Sequence, residues 1–184
     1  MKYDTLFLYL SLQLVFMNIS ELLQIKEVKR DELKVRFDLP RRSKILIAVH
    51  FTEKNITQGL LDGFAVLPAN FIVFWWDTTE HIAKNITFIK QHDTFDMTGI
   101  DAMLGDCHDI KLEKIMQLGV TPLINENNYL GSILQEFSPG RGEGNAYLYE
   151  KGNMWSAYYA LIRYLENHKF PYDNRNLVKN VIAV

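Results

Sequence analysis

Apolar residues in this chain fall either in short unbroken runs or in stretches where they recur at every third or fourth position. Unbroken runs suit strands buried on both faces, and the spaced pattern suits helices with one buried stripe. The stretch from Ile100 to Leu134 shows the alternation most clearly. Ile100 to Leu104 predicts a buried strand, broken by Gly105-Asp106. Asp109 is placed to cap a helix over Ile110 to Leu118, with Leu112, Ile115 and Met116 facing inward. Gly119 ends that helix, and Val120 to Ile124 predicts a second buried strand. The polar loop Asn125 to Asn128 follows. A strand–helix–strand unit of this length implies a parallel pair with a right-handed crossover. Ligands of such sheets sit outside the carboxyl ends of the strands. Asp106 to Asp109 and Asn125 to Tyr129 are therefore expected at the binding edge.

The rest of the chain extends the pattern. Asn18 to Glu21 predicts the cap of a short helix through Leu23, and Lys26 to Phe37 a separate solvated helix with Val28, Leu33 and Phe37 inward, ended by Pro40. Lys44 to His50 is the first clear strand. Ile56 to Leu67 predicts a helix with Leu60, Leu61, Phe64 and Leu67 as its stripe. Phe71 to Trp76 predicts a strand, Thr78 to Lys84 a short helix, and Ile86 to Ile89 a weaker strand. Gln91 to Thr98 reads as a connector, and Ser138 to Gly144 as a glycine-rich loop carrying Arg141. Ala146 to Tyr149 is extended. Asn153 to Asn167 is the longest expected helix, with Trp155, Tyr158, Leu161, Ile162 and Leu165 inward. Pro171 is expected to interrupt before a last helix from Asn174 to Val181. Alternating strands and helices predict a doubly wound α/β domain.

The N-terminal run Thr5 to Met17 is rich in Leu and Phe but shorter than the about 20 apolar residues a membrane span needs. Asp4 and the lack of a small-x-small site argue against a secretory signal. The expectation is an apolar arm over residues 1–26 that packs on the domain of residues 27–184 or on a second copy of it, which would make a homodimer.

Composition narrows the function classes. Hydrophobic residues are 48% and charged residues 23% of the 184, enough for a sizeable core. A formal net charge of -2 supplies no basic footprint for nucleic acid. The single cysteine, Cys107, excludes an intrachain disulfide and points to a reducing, cytoplasmic setting.

With the elements in order, the chain resembles the C-terminal half of a GT-B glycosyltransferase of the retaining kind that includes glycogen and starch synthases. Arg30 to Leu33, followed by Leu39-Pro40, resembles the family's lead-in helix ending in "GLP". Lys44 to Lys54 (KILIAVHFTEK) resembles its first strand and the loop "GRL-x-x-x-KG". Leu60 to Ile72 (LLDGFAVLPANFI) resembles "LLDAFA-x-LP-x-ANLVI", and Gly99 to Leu104 (GIDAML) resembles "GADVFL". Gly119 to Leu130 (GVTPLINENNYL) resembles "GTPPIVRRTGGL". Gly144 to Tyr149 and then Trp155 to Glu166 resemble the "GFLF" strand and the final crossover helix.

The resemblance implies a Rossmann-like, mostly parallel sheet and a UDP- or ADP-linked nucleotide-diphospho-sugar donor. An acceptor would bind a second half, separately encoded if this chain works as a glycosyltransferase. By position, the donor contacts would be His50, Lys54, Asp106, Lys114, Asn127, Asn128 and Tyr129. Lys54 and Lys114 would meet the diphosphate, Asp106 would orient the sugar, and Asn127 to Tyr129 would touch the sugar-phosphate.

Several positions depart from the family. His50 stands where the family has the arginine of its diphosphate pair, and a neutral imidazole does not reproduce a guanidinium fork. The family's two glutamates fall on Asp106 and Lys114, the second with reversed charge. Asn128 and Tyr129 fall on two glycines. These departures argue against catalysis by this chain alone, so no catalytic residue is assigned. They favour an alternative: an inactive relative retained for protein–protein contact or dimerisation.

Other chemistries fare worse. Asp106-Cys107-His108-Asp109 are adjacent, which is poor geometry for one tetrahedral ion, so no metal or other cofactor is expected. Cys107 beside His108 lacks an orienting third group for a thiol enzyme. Ser138 to Gly144 lacks the P-loop pattern and reads as a surface loop. Trp75-Trp76-Asp77 ends a strand at the binding edge, where one indole could stack on a base or sugar.

Overall fold

The computed structural model describes residues 18–51, 54–75, 83–90, 94–105, 112–128, 130 and 133–184, without the side chains of 54–58 and 75. The expected helix at Thr78 to Lys84 lies largely outside these residues, as do the cap at Asp109 and the arm as far as residue 17.

Helix α1 (Ile19–Arg36) leads into strand β1 (Leu46–His50), α2 (Lys54–Ala65), β2 (Asn70–Trp75) and β3 (Ile86–Lys90). A 3-10 turn (Met97–Gly99) then precedes β4 (Ala102–Gly105), α3 (Leu112–Gln117) and β5 (Thr121–Asn125). Strand β6 (Tyr147–Tyr149) and helices α4 (Met154–His168) and α5 (Pro171–Ile182) complete the order. The strands form one sheet ordered β3-β2-β1-β4-β5-β6, and every neighbouring pair is parallel. Each residue of β1, β4 and β5 is buried, because helices cover both faces at the sheet centre. The edge strand β3 is buried only at Ile86, which explains its mixed sequence.

Helix α1 departs from the sequence reading in two ways. It is one continuous helix, opened by a capping box in which Asn18 accepts from Ser20 and Glu21 and Glu21 answers the Asn18 amide. Its inward stripe is Leu22, Lys26, Arg30 and Leu33, while Val28 and Val35 are each 61% exposed. The reason lies in what the helix covers. It crosses the ends where strands begin, so its face meets backbone carbonyls and a carboxylate as well as apolar side chains.

Lys26 Nζ donates to the carbonyls of Thr98 (3.2 Å), Ile100 (2.5 Å) and Leu118 (3.3 Å). Arg30 donates to Asp101 Oδ1 at 2.7 Å, and Asp101 Oδ2 accepts from the Leu46 amide at 2.8 Å. Gly99 lets the 3-10 turn approach α1, since a β-carbon there would stand 2.6 Å from the Lys29 carbonyl carbon.

Two further expectations at the C-terminal end change. Trp155 is 71% exposed, whereas Leu161 and Leu165 of the same helix are buried. Asn153 caps α4 by accepting from Ser156 N, and the inward face carries Ala157, Ala160, Leu161, Tyr164 and Leu165. Pro171 does not interrupt a helix: it is the first residue of α5, where its missing N–H costs no bond.

Candidate functional site

The strand order fixes where a ligand crevice can open. From β1 the chain winds outward through β2 and β3, then returns to the other side of β1 to lay down β4, β5 and β6. The connections after β1 and β4 therefore leave in opposite directions. In doubly wound sheets ligands bind between two such connections at the carboxyl ends, the topological switch point.

His50 and Gly105 are paired in register at that point. His50 is 3% exposed, and its ring meets Phe74 edge-on at 5.4 Å between centroids. The next residue, Phe51, is buried against the Tyr149 ring at 6.3 Å, so an aromatic layer underlies this edge. Helix α2 begins at Lys54, directly after this edge, which turns its amino end toward the crevice. Gly105 holds φ at +140°, and a β-carbon there would stand 1.7 Å from the His50 carbonyl oxygen.

The β5 end contributes a tight polar turn. Asn128 N donates to the Asn125 carbonyl at 3.1 Å, and Asn128 Oδ1 accepts from Leu130 N at 3.0 Å. The Glu126 amide donates to the Tyr149 carbonyl at 2.9 Å, tying the turn to β6. Asn128 is 6% exposed, and its Nδ2 has no hydrogen-bond partner among the described residues. A buried amide donor in that state is costly unless a partner arrives. Asn127 beside it is exposed.

The structure thus brings His50, Asn127 and Asn128 to one edge of the sheet. Lys114 is partly buried on α3, whose start follows that edge. Lys54 is at the first position of α2, with its side chain undescribed. Asp106 and Tyr129 lie outside the described residues, as do Cys107, His108, Asp109, Trp76 and Asp77. Trp75 closes β2. Among the described residues no cluster of three His, Cys, Asp or Glu could hold a metal, and no helix is long and apolar enough to cross a membrane.

The glycine-rich loop stands apart from this edge. Ser138 and Glu143 pair antiparallel, Arg141 is exposed, and Asn180 of α5 donates to the carbonyls of Gly142 (2.8 Å) and Gly144 (2.9 Å). The loop is pinned to a helix rather than turned toward the crevice.

Sequence reasoning missed Gly105 as a positioning residue and the Lys26, Arg30 and Asp101 cluster. Gly105 was legible only as a strand breaker. The cluster carried no signal, because lysine and arginine on a helix ordinarily mark the solvated face.

The sequence matches no protein-family model, and no curated protein matches it. Its structure does match solved structures. The catalytic domain of starch synthase IV from Arabidopsis thaliana, bound to ADP and acarbose, aligns with a TM-score of 0.70 at 13% identity. The alignment covers 91% of this chain and 40% of that one. Sucrose-phosphate synthase from Thermosynechococcus elongatus aligns with a TM-score of 0.57 at 12% identity, over 83% of this chain and 43% of that one. The fold is that of one half of a GT-B glycosyltransferase. This chain spans less than half the length of either structure.

Proposed function

We propose that this chain is a glycosyltransferase-type domain, of the C-terminal kind, that binds a nucleotide-diphospho-sugar donor at the β1–β4 crevice. The observation that carries the reading is the paired placement of His50 and Gly105 at the switch point, with the unsatisfied Asn128 amide on the same edge of the sheet. The amino end of α2 offers backbone amides to a diphosphate. Lys54 and Lys114 supply cationic charge, Asp106 orients the sugar, and Asn127 to Tyr129 contact the sugar-phosphate. His50 contributes an imidazole contact in place of a guanidinium.

Transfer itself needs an acceptor half supplied from outside these 184 residues. Of the apolar arm expected over residues 1–26, residues 19–26 belong to α1, whose Leu22 and Lys26 are buried in the domain. The run before α1 is therefore the candidate contact for that half or for a second copy of the chain. A cytoplasmic setting fits the lone Cys107.

Calorimetric titration with UDP-glucose and ADP-glucose tests the reading. One of them should bind tighter than about 100 μM, or roughly -5.5 kcal/mol. Asn128→Leu should weaken that binding without unfolding the domain. Heat-silent titrations with both of these and with other UDP- and ADP-sugars would refute donor binding and leave an inactive relative used for protein contact.

A further inference from the structure

A second concavity lies at the opposite ends of the strands. This groove of about 950 Å³ is bounded by the residues entering β1, β2 and β3 and by the corner between α4 and α5. Its volume falls in the usual range for small-molecule sites.

Its charge is one-sided. Arg42, Lys44, Lys84, His168 and Lys169 line it, and no aspartate or glutamate does so among the described residues. Lys169 is engaged by Glu166 at 2.6 Å. Burial lowers the pKa of His168, so the imidazole is neutral near pH 7. Arg42, Lys44 and Lys84 are exposed and have no ion-pair partner among the described residues. Three convergent cations in a chain of net charge -2 are not a by-product of overall composition.

Two independent features point to a ligand. Helix α5, 12 residues long, opens on this groove through Pro171 and Asn174, and its N-cap residue Phe170 makes no side-chain cap. The first amides after Pro171 are therefore left for a phosphate oxygen. Asp173, in the same first turn, lines a different cavity, with Glu136, Arg163 and Phe170. The second feature is Asn70, which lines the groove and is fully buried. Its Nδ2 donates to the Pro40 carbonyl at 2.8 Å, but its Oδ1 has no partner among the described residues. An orphaned carbonyl oxygen asks for a hydroxyl or N–H donor.

We infer that this groove binds a small phosphate monoester, with the phosphoryl group among Arg42, Lys44, Lys84 and the amino end of α5, and a hydroxyl of the organic part donated to Asn70 Oδ1. The site is distinct from the donor crevice and does not depend on it, since the two occupy opposite ends of the strands.

Two-dimensional amide NMR of the full chain, titrated at constant ionic strength with glycerol phosphate and separately with inorganic phosphate, tests this. The Tyr172 and Asp173 amides should shift saturably with both. The ester should bind about fivefold tighter, through the added hydrogen bond to Asn70. The double variant Lys44→Glu with Lys84→Glu changes only exposed side chains and should keep the spectrum of a folded protein. It should weaken binding by about tenfold or more. Lys44→Arg should retain binding. The inference fails if saturable shifts are absent, if they are confined to carboxyl-end residues such as Gly105, Glu126 and Asn127, or if the double variant binds as well as the wild type. Equal affinity for the two probes would overturn the role of Asn70 and with it the monoester assignment.

Discussion

The His50 carbonyl oxygen lies 1.7 Å from the position a β-carbon on Gly105 would take. The two residues are partners across β1 and β4, and the φ of +140° at Gly105 belongs to a region L side chains rarely enter. Gly105→Ala must therefore push the strands apart and strain its own backbone. The expected loss is about 3 kcal/mol in urea unfolding, with the switch-point crevice disturbed first. A loss below about 1 kcal/mol would show that the two strand ends part freely and would weaken the claim that this pair shapes the crevice.

Lys26 is 1% exposed, and burial lowers its pKa from 10.5 to about 8. At pH 7 it remains an ammonium, held by the three carbonyls it reaches. Between about pH 8 and 10.5 the unfolded chain keeps a proton that the folded chain has released. The contribution of this residue to stability therefore rises with pH across that window. Urea unfolding at several pH values should show a rise in the wild type that Lys26→Met lacks. Parallel profiles for the two proteins would mean that Lys26 does not titrate there.

Asp101 satisfies two groups at once, the Arg30 guanidinium and the Leu46 amide at the start of β1. Removing the carboxylate leaves a largely buried cation and a buried N–H without it. Asp101→Ala should cost about 3 kcal/mol, and Asp101→Asn less, because an amide oxygen can still accept one of the two bonds. Equal losses in the two variants would contradict this division of labour.

Leu161 and Trp155 sit on the same helix with opposite fates. Leu161 is 0% exposed and Trp155 is 71% exposed. Leu161→Ala should cost about 3 kcal/mol by opening a cavity, whereas Trp155→Ser should stay within about 0.5 kcal/mol. Thermal melts of the two variants distinguish this orientation from the one the apolar pattern alone predicts, in which both residues face the core.

Much of the architecture could be read from the chain because its signals are local. Unbroken apolar runs at Leu46 to Val49 and Val120 to Ile124 mark strands covered on both faces, and their alternation with helical spacing implies parallel pairing. The orientation of α1 could not be read that way. Periodicity assumes that a buried helix face is apolar, and this face packs over strand ends, where Lys26 meets carbonyls and Arg30 meets Asp101. Trp155 misled for a related reason: a large ring scores as core wherever it falls, but the face of α4 that packs inward is the one carrying Ala157, Ala160, Leu161 and Tyr164. At the candidate site the sequence located the edge residues His50, Asn127 and Asn128. It offered no sign that the Asn128 amide would be buried with no partner among the described residues, since that depends on how the turn closes on Leu130 and on how β6 is tied to Glu126.

The sequence by itself determined the strands and their parallel sense, because hydrophobic runs and crossover lengths are properties of neighbouring residues. The tertiary structure alone decided the strand order with its divergence between β1 and β4, the contact that makes Gly105 obligatory, and the gathering of Arg42, Lys44 and Lys84 at the opposite end. Those depend on pairings between residues far apart in the chain, whose burial and charge are set by neighbours that no local pattern names.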